Sequence, residues 1–558
     1  MERSVERLPV APALQSPAAA ARRLPSRASE ALSAHGIFIA LMIAGTVLRV
    51  LTSVAYRPAM AFVQDSFDYL GDARDLVPGV IRPLGYPLFL RALSVTGRFG
   101  LVPVVQHLMA LAMAVMLYAL LRRLGVRPWL AALATAPLLL DGYQIYMEQF
   151  VLAETLFELL VVTALVVLLW RRPTPAACAV AGGLLALSGL TRTVGVVLLV
   201  PAVAYLVLTR AGGRRVISFA GAAALVLGGY AGWYKAVNGS WALQSFGGYF
   251  LAGRVEPFAR CDGLELPPEE LMLCDDRPEA ERPGPDWYVW NPGSPLRRLD
   301  FPAGTDRNEV AGSFARRIIA HQPVDYLGTV GRDFLHYFAP TRSSGRGDGP
   351  VQTFQFRTSF TPDPWQPAYP PADPYIWQWT WPGDSVRYGN IVATHGFDLA
   401  RAEPRLHPGI AAALRNYQRV GYTPGPLLAV AVLVAVGAGI GRMSQRQRRV
   451  GYGAWLFAAV GVLVLLVPAA TASFDFRYLV PALTVLPAAG ALGVTVLQGR
   501  RRESGGTEIP GGAERHDAAV GAVGLARLDR EAARPVPEVV LVDAPEVGDV
   551  GGDVVGPR

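Results

Sequence analysis

Apolar residues in this chain come in long unbroken blocks, separated by short polar breaks and by one long polar stretch. Blocks of about 20 apolar residues match the length a helix needs to cross the hydrocarbon of a bilayer. They predict about ten membrane spans, near residues 36–55, 103–121, 129–147, 150–170, 175–190, 193–209, 216–236, 424–441, 451–470 and 478–497. The weakest pair, 175–190 and 193–209, is parted only by Thr191-Arg192-Thr193. The expected fold class is therefore an all-α polytopic membrane protein. One large extracytoplasmic mixed domain is expected between spans seven and eight.

The breaks divide the chain further. Residues 1–33 read as a disordered cytoplasmic tail without the layout of a cleavable signal peptide. Residues 34–236 form a transmembrane catalytic module whose first outer loop is 56–102. Residues 237–422 make the outer domain, 423–499 the C-terminal transmembrane helices, and 500–558 a Gly-, Pro- and charge-rich cytoplasmic tail.

Composition agrees with this reading. Of 558 residues, 52% are hydrophobic and 17% charged, with a mean hydropathy of +0.30. The formal net charge of +8 comes largely from arginine clusters such as Arg122/Arg123/Arg127, Arg210/Arg214/Arg215 and Arg500/Arg501/Arg502. With ten spans these clusters share one side, which the positive-inside rule assigns to the cytoplasm. A plasma-membrane, multi-pass location with both termini inside follows. No continuous basic face on a soluble domain is present, so a nucleic-acid partner is not expected.

Cys261 and Cys274 fall together in the outer segment, where a short-loop disulfide is expected in an oxidising compartment. Cys178, in an apolar block, is expected to be a small core residue.

The candidate chemistry gathers on the outer side. If residues 65–77 form a helix, Asp65, Asp68, Asp72 and Asp75 share one face, and Phe67, Leu70, Arg74 and Val77 another. Asp72 and Asp75 are expected to be solvated, whereas Asp65 stands at the junction with the first span. Arg49 lies near the outer end of that span. Glu148 and Glu154 flank the turn between spans three and four, Arg192 lies in the next outer turn, and Asp475 and Arg477 lie between the last two spans. In the outer segment, the alternation Trp377, Trp379, Trp381 suggests a strand with three indoles on one face. Those indoles serve as an acceptor platform or as packing.

Five stretches together carry a family resemblance: Asp65-Ser66-Phe67-Asp68-Tyr69, the turn Arg82-Pro83-Leu84-Gly85-Tyr86-Pro87, Leu152-Ala153-Glu154-Thr155-Leu156-Phe157, Gly189-Leu190-Thr191-Arg192, and Arg477-Tyr478-Leu479-Val480-Pro481. In order and sidedness they resemble the GT-C glycosyltransferases, near the protein mannosyltransferase and aminoarabinose transferase branch (glycosyltransferase families 39 and 83). The resemblance covers roughly residues 36–235 and 424–497.

It implies transfer of a sugar from a polyprenyl-phosphate donor to a hydroxyl on a glycan, lipid or protein acceptor, on the extracytoplasmic face and with inversion. It further implies Asp65 as catalytic base, with Asp68 and Glu154 as the other acidic positions. Arg82 falls at a sugar-phosphate position. Tyr86, Arg49, Arg192 and Arg477 are weaker substrate or phosphate candidates. Where the family often has two adjacent acids, Ser66 follows Asp65, which leaves the division of labour with Asp68 open. No cofactor is certain; a divalent cation stays open and its ligands unknown. The rival readings are a lipid-linked glycan ligase or polymerase, and a flippase or transporter. A transporter should carry internal repeats and broken midplane helices, and the sequence has neither.

Overall fold

A computed structural model describes residues 24–60, 62–291, 293–298, 304–345, 347–359, 380–381, 384–385, 405–440 and 444–505. The apolar blocks are helices. In chain order the bundle has α1 Leu24–Ala55, α2 Val63–Asp75, α3 Gly85–Ser94, α4 Leu101–Arg123, α5 Pro128–Leu140, α6 Gly142–Met147, α7 Glu154–Trp170, α8 Pro175–Thr191, α9 Val194–Val197, α10 Leu199–Leu208 and α11 Gly213–Asn238. The segment expected on the outer side, here called the outer segment, supplies α12 Gly247–Val255, α13 Pro285–Trp290, α14 Arg307–His321, α15 Pro323–His336 and α16 Pro408–Gln418. The chain then returns through α17 Gly425–Gly439, α18 Gln445–Thr471 and α19 Leu479–Gly505.

Among the described residues, five helices are long and apolar enough to cross a membrane: His35–Ala55, Leu101–Arg123, Gly213–Asn238, Gln447–Thr471 and Phe476–Arg500. Four shorter apolar helices lie among them.

Several predicted boundaries move, each for a local reason. Helix α1 begins at Leu24, inside the expected tail, because Ser26–Ser33 is rich in good helix formers. The expected span 129–147 breaks at Asp141. Its carboxylate caps α6 through Tyr143 N and also receives Arg342 at 2.6 Å and the Thr423 amide at 2.8 Å. Residues 148–153 form a connecting segment, so the fourth span starts at Glu154 rather than near 150.

Helix α8 packs against both α7 and α11. It comes close to α11 because Gly182 has no side chain; a Cβ there would collide with the Phe219 carbonyl.

The outer segment behaves as two parts. Phe246, Tyr249, Val255, Leu273, Tyr288, Phe314 and Ile318 form a core of their own. Tyr337, Val351, Phe354, Phe356, Ala411 and Leu414 instead join the core of the bundle. The described portion is helical rather than mixed. Its strands are two-residue pairs: Tyr56–Arg57 (β1) with Arg405–Leu406 (β4), and Thr380–Trp381 (β2) with Asp384–Ser385 (β3). Trp377 and Trp379 lie outside the described residues, and Trp381 is described only as part of β2.

Cys261 and Cys274 form a disulfide, and Cys178 is a buried free thiol. The bond braces the segment entering Asp275, whose carboxylate takes Arg277 and the Tyr288 hydroxyl at 2.5 Å.

Glu256 lies at the centre of this subdomain, 0% exposed, and neither of its carboxylate oxygens has a partner. Burial and the nearby Asp275 raise its pKa well above the ordinary range, against Arg282 and Arg277. A carboxyl that keeps its proton in the folded state but loses it in the unfolded state weakens folding as pH rises through the unfolded value. The slope is at most about 1.4 kcal/mol per pH unit. The thermal midpoint of the wild type is therefore expected to fall as pH rises from 5 to 8, and Glu256→Gln to flatten that fall. Parallel profiles for the two proteins would refute this assignment.

Candidate active site

A run of backbone pairing stitches the first outer loop to the segment before α7. Met60 N donates to Gln149 O at 3.0 Å, and Val151 N to Met60 O at 2.9 Å. Ser66, fully buried, receives the Phe62 amide at 2.7 Å and donates to Val151 O at 2.9 Å. Ser66 is thus a strut at the start of α2, which accounts for a hydroxyl beside Asp65 rather than a second acid. The strut sets Asp65 on α2 and Glu154 at the head of α7 on one wall.

The other charges are brought in by tight turns. Gly85 ends the Arg82 turn against the end of α8; a Cβ there would lie 2.5 Å from Leu190 O. This close approach joins Arg82 to the turn bearing Arg192. Arg477 sits in the turn Phe476–Tyr478, where the Asp475 carboxylate caps its amide at 3.0 Å.

The result is a continuous charge cluster. Asp65 accepts from Arg82 Nη2 at 2.6 Å and from Arg477 Nη1 at 2.5 Å. Arg82 also reaches Asp68 at 3.1 Å and lies over the Tyr69 ring at 5.2 Å. Arg192 pairs with Glu154. The guanidiniums of Arg192 and Arg477 each lie 5.1 Å from the centre of the Tyr478 ring, which joins the two pairs.

Electrostatics separates the carboxylates. Burial alone would raise the Asp65 pKa, but Arg82 and Arg477 hold it below the ordinary value. Asp475 is pushed up to about 7 by burial, despite Arg477 beside it. Asp72 is also pushed up to about 7, by burial and then by Asp68. It is half-buried against Gly79 rather than on a solvated stripe as expected; Asp75 is exposed and pairs with Arg74.

These groups open into one cavity of about 690 Å3, lined by Asp65, Asp68, Arg82, Glu154, Arg192 and Arg477. Ile81, Val194, Phe250, Leu251, Val467 and Pro468 add apolar lining. Asp286, Trp287, Trp290, Thr353, Phe354 and Arg357 complete the lining, with the Trp290 ring 5.9 Å from that of Phe250. Sequence reading had not selected Asp286, Trp287, Trp290 or Arg357. Asp286, Trp287 and Trp290 come from the short helix α13 and Arg357 from a connecting segment, all far in sequence from the motif residues, and only the fold brings them to the cavity.

Two expected substrate residues stand elsewhere. Arg49, 2% exposed, is spent inside the bundle: it binds both Glu148 oxygens at 2.7 and 2.8 Å, and the Leu138, Leu139 and Gly45 carbonyls. Tyr86, fully buried, donates to Gln106 Oε1 at 2.8 Å; Gln106 Nε2 in turn holds the Glu148 and Phe150 carbonyls at 2.7 Å. With His107, which contacts Glu148 at 2.7 Å, they form the scaffold beneath the 148–154 segment and do not line the cavity. Among the described residues, no three of His, Cys, Asp and Glu converge on a common point that would hold a metal ion.

No protein-family model matches the chain, and no curated protein matches it. Among solved structures it aligns with the apo oligosaccharyltransferase of Archaeoglobus fulgidus, at 12% identity and a TM-score of 0.34. It also aligns with the archaeal oligosaccharyltransferase AglB of the same organism, in complex with an inhibitory peptide and a dolichol-phosphate, at 10% identity and 0.31. In both cases the alignment covers 86% of this chain and 52% of the other, so the chain spans about half the length of the structures it matches. Overlaps this loose decide neither fold nor activity. The functional reading rests on the chain's own residues.

Proposed function

We propose that the protein is an integral membrane glycosyltransferase that moves a sugar from a polyprenyl-phosphate donor to an acceptor hydroxyl at the extracytoplasmic mouth of the bundle. The observation that carries the reading is one cavity lined both by the arginines Arg82, Arg477 and Arg192 and by apolar side chains. Planar guanidiniums suit a phosphate, which they can grip with paired donors. The apolar lining suits the first isoprene units of a lipid carrier.

In the transfer, the acceptor oxygen forms a bond to the anomeric carbon while the carbon–oxygen bond to phosphate breaks. The electron pair leaves on the phosphate, the acceptor proton goes to a carboxylate, and the sugar inverts. Asp65 takes the proton. Held by two arginines it is a weak base, so its activation needs those arginines to turn elsewhere. An arriving phosphate supplies the competing anion: as Arg82 and Arg477 close on it, Asp65 loses the contacts that depress its pKa. The base then becomes competent only when the donor is seated, which protects the donor from idle hydrolysis. Glu154 keeps Arg192 aimed into the cavity, and Asp68 does the same for Arg82.

The test is transfer of radiolabelled sugar by the purified full-length protein from a panel of polyprenyl-phosphate sugars. Turnover with one donor, inhibited by the sugar-free polyprenyl phosphate, is expected. Absence of turnover with every donor, together with donor flux across proteoliposomes, would replace this reading with the transporter one.

A further inference from the structure

The donor proposed above uses the arginines and the apolar lining of the cavity; Asp286, Trp287 and Trp290 have no part in that assignment. Helix α13 turns Tyr288 and Val289 into the core of the outer subdomain, which leaves Asp286, Trp287 and Trp290 lining the cavity. The helix is firmly seated. Gly253 lets it approach α12, since a Cβ there would meet the Val289 side chain at 2.5 Å. The Tyr288 hydroxyl is fixed by Asp275, one residue beyond the Cys261–Cys274 disulfide.

Asp286 itself reaches across to the bundle, accepting from Ser473 Oγ at 3.0 Å, four residues before Arg477. Unlike Asp65, Asp68 and Glu154, it forms no ion pair among the described residues. Its pKa is raised, by burial first and also by the negative charge of Asp65, against Arg477. Trp287 carries Arg277 stacked at 4.5 Å, and Trp290 is stacked on Phe246 at 5.4 Å between ring centres. Asn291 and Gln244 add amide groups beside them.

We infer that Asp286, with Trp287 and Trp290, forms the acceptor subsite, and that its ligand is a sugar ring: the acceptor is a glycan. This rests on the transferase reading above. A pyranose or furanose presents an apolar C–H face and a dense rim of hydroxyls. Indoles match the first, since aromatic faces are electron-rich; a carboxylate outside any ion pair and neighbouring amides match the second. A peptide acceptor would more naturally add to an exposed strand edge, and no strand among the described residues lines this cavity.

The experiment uses the full-length protein in detergent. Saturation-transfer NMR measures binding of methyl α-mannopyranoside, methyl α-arabinofuranoside and a Ser/Thr-rich peptide to the wild type, Asp286→Ala and Asp286→Asn. Transfer kinetics are run on the same proteins. At least one glycoside is expected to bind the wild type, with its affinity falling about tenfold or more in Asp286→Ala, as for loss of a hydrogen bond to a charged group. In kinetics the loss should appear in acceptor KM, with donor KM unmoved. Asp286→Asn, which retains an acceptor for Ser473, should recover part of it. A merely structural role for Asp286 would move both KM values together.

Glycoside binding unchanged in Asp286→Ala, binding of the peptide alone, or binding of nothing would each overturn the inference. Asp286-dependent glycoside binding without transfer from any donor would leave the subsite standing and remove the transferase reading.

Discussion

Asp65→Asn is expected to lower kcat by about 10²–10⁴-fold, the range a positioned general base contributes, while donor KM does not rise. The substitution keeps the shape of the side chain and removes only its charge. Two consequences separate at this residue. The base is gone, so the acceptor proton has nowhere to go in the transition state. The carboxylate that occupies Arg82 and Arg477 in the resting site is gone too, so the phosphate no longer competes for them. A fall in kcat with an unchanged or lower donor KM is the signature of a base that also masks its phosphate clamp. A rise in donor KM with kcat preserved would mean that Asp65 only orders the arginines. Full activity would move the base assignment to Asp68 or Glu154. Steady-state transfer at varied donor, in the same purified preparation as the wild type, distinguishes these outcomes.

The second large effect is on stability. Arg49→Ala is expected to cost about 3–5 kcal/mol, because it strands a buried, ion-paired Glu148. Glu148 is 0% exposed, and its remaining side-chain partners are His107 and Gln144. The loss propagates along the scaffold to the 149–154 segment and hence to Glu154. The thermal midpoint in detergent should drop sharply, and the double substitution Arg49→Met/Glu148→Leu should recover most of the loss by removing both charges together. A stable Arg49→Ala protein with a raised donor KM would instead return Arg49 to the phosphate site, where the sequence had put it.

Arg49 shows where sequence reasoning reaches its limit. A lone arginine near the outer end of an apolar block is costly in hydrocarbon, so it announces a polar partner. It does not announce which one. Choosing Glu148 takes the packing of α1 against α5 and α6.

The linear pattern determined the helices, since burial of backbone polar groups in a bilayer leaves an apolar block few other options. It marked Asp65, Arg82, Glu154, Arg192 and Arg477 as charged residues in the breaks between such blocks, and the structure brings these five into one cavity. The short spacing of Cys261 and Cys274 likewise announced their bond.

Only the tertiary structure decided which arginine serves which carboxylate, because guanidiniums reach several partners and distance alone selects. It alone withdrew Arg49 and Tyr86 into the scaffold, made Ser66 a strut, and half-buried Asp72. It alone carried Asp286, Trp287 and Trp290 over the site, for those residues sit in a stretch without periodicity and are placed by the packing of α13 on a separate small core. Local pattern reports what a residue next to an apolar block must avoid; long-range packing decides what it meets.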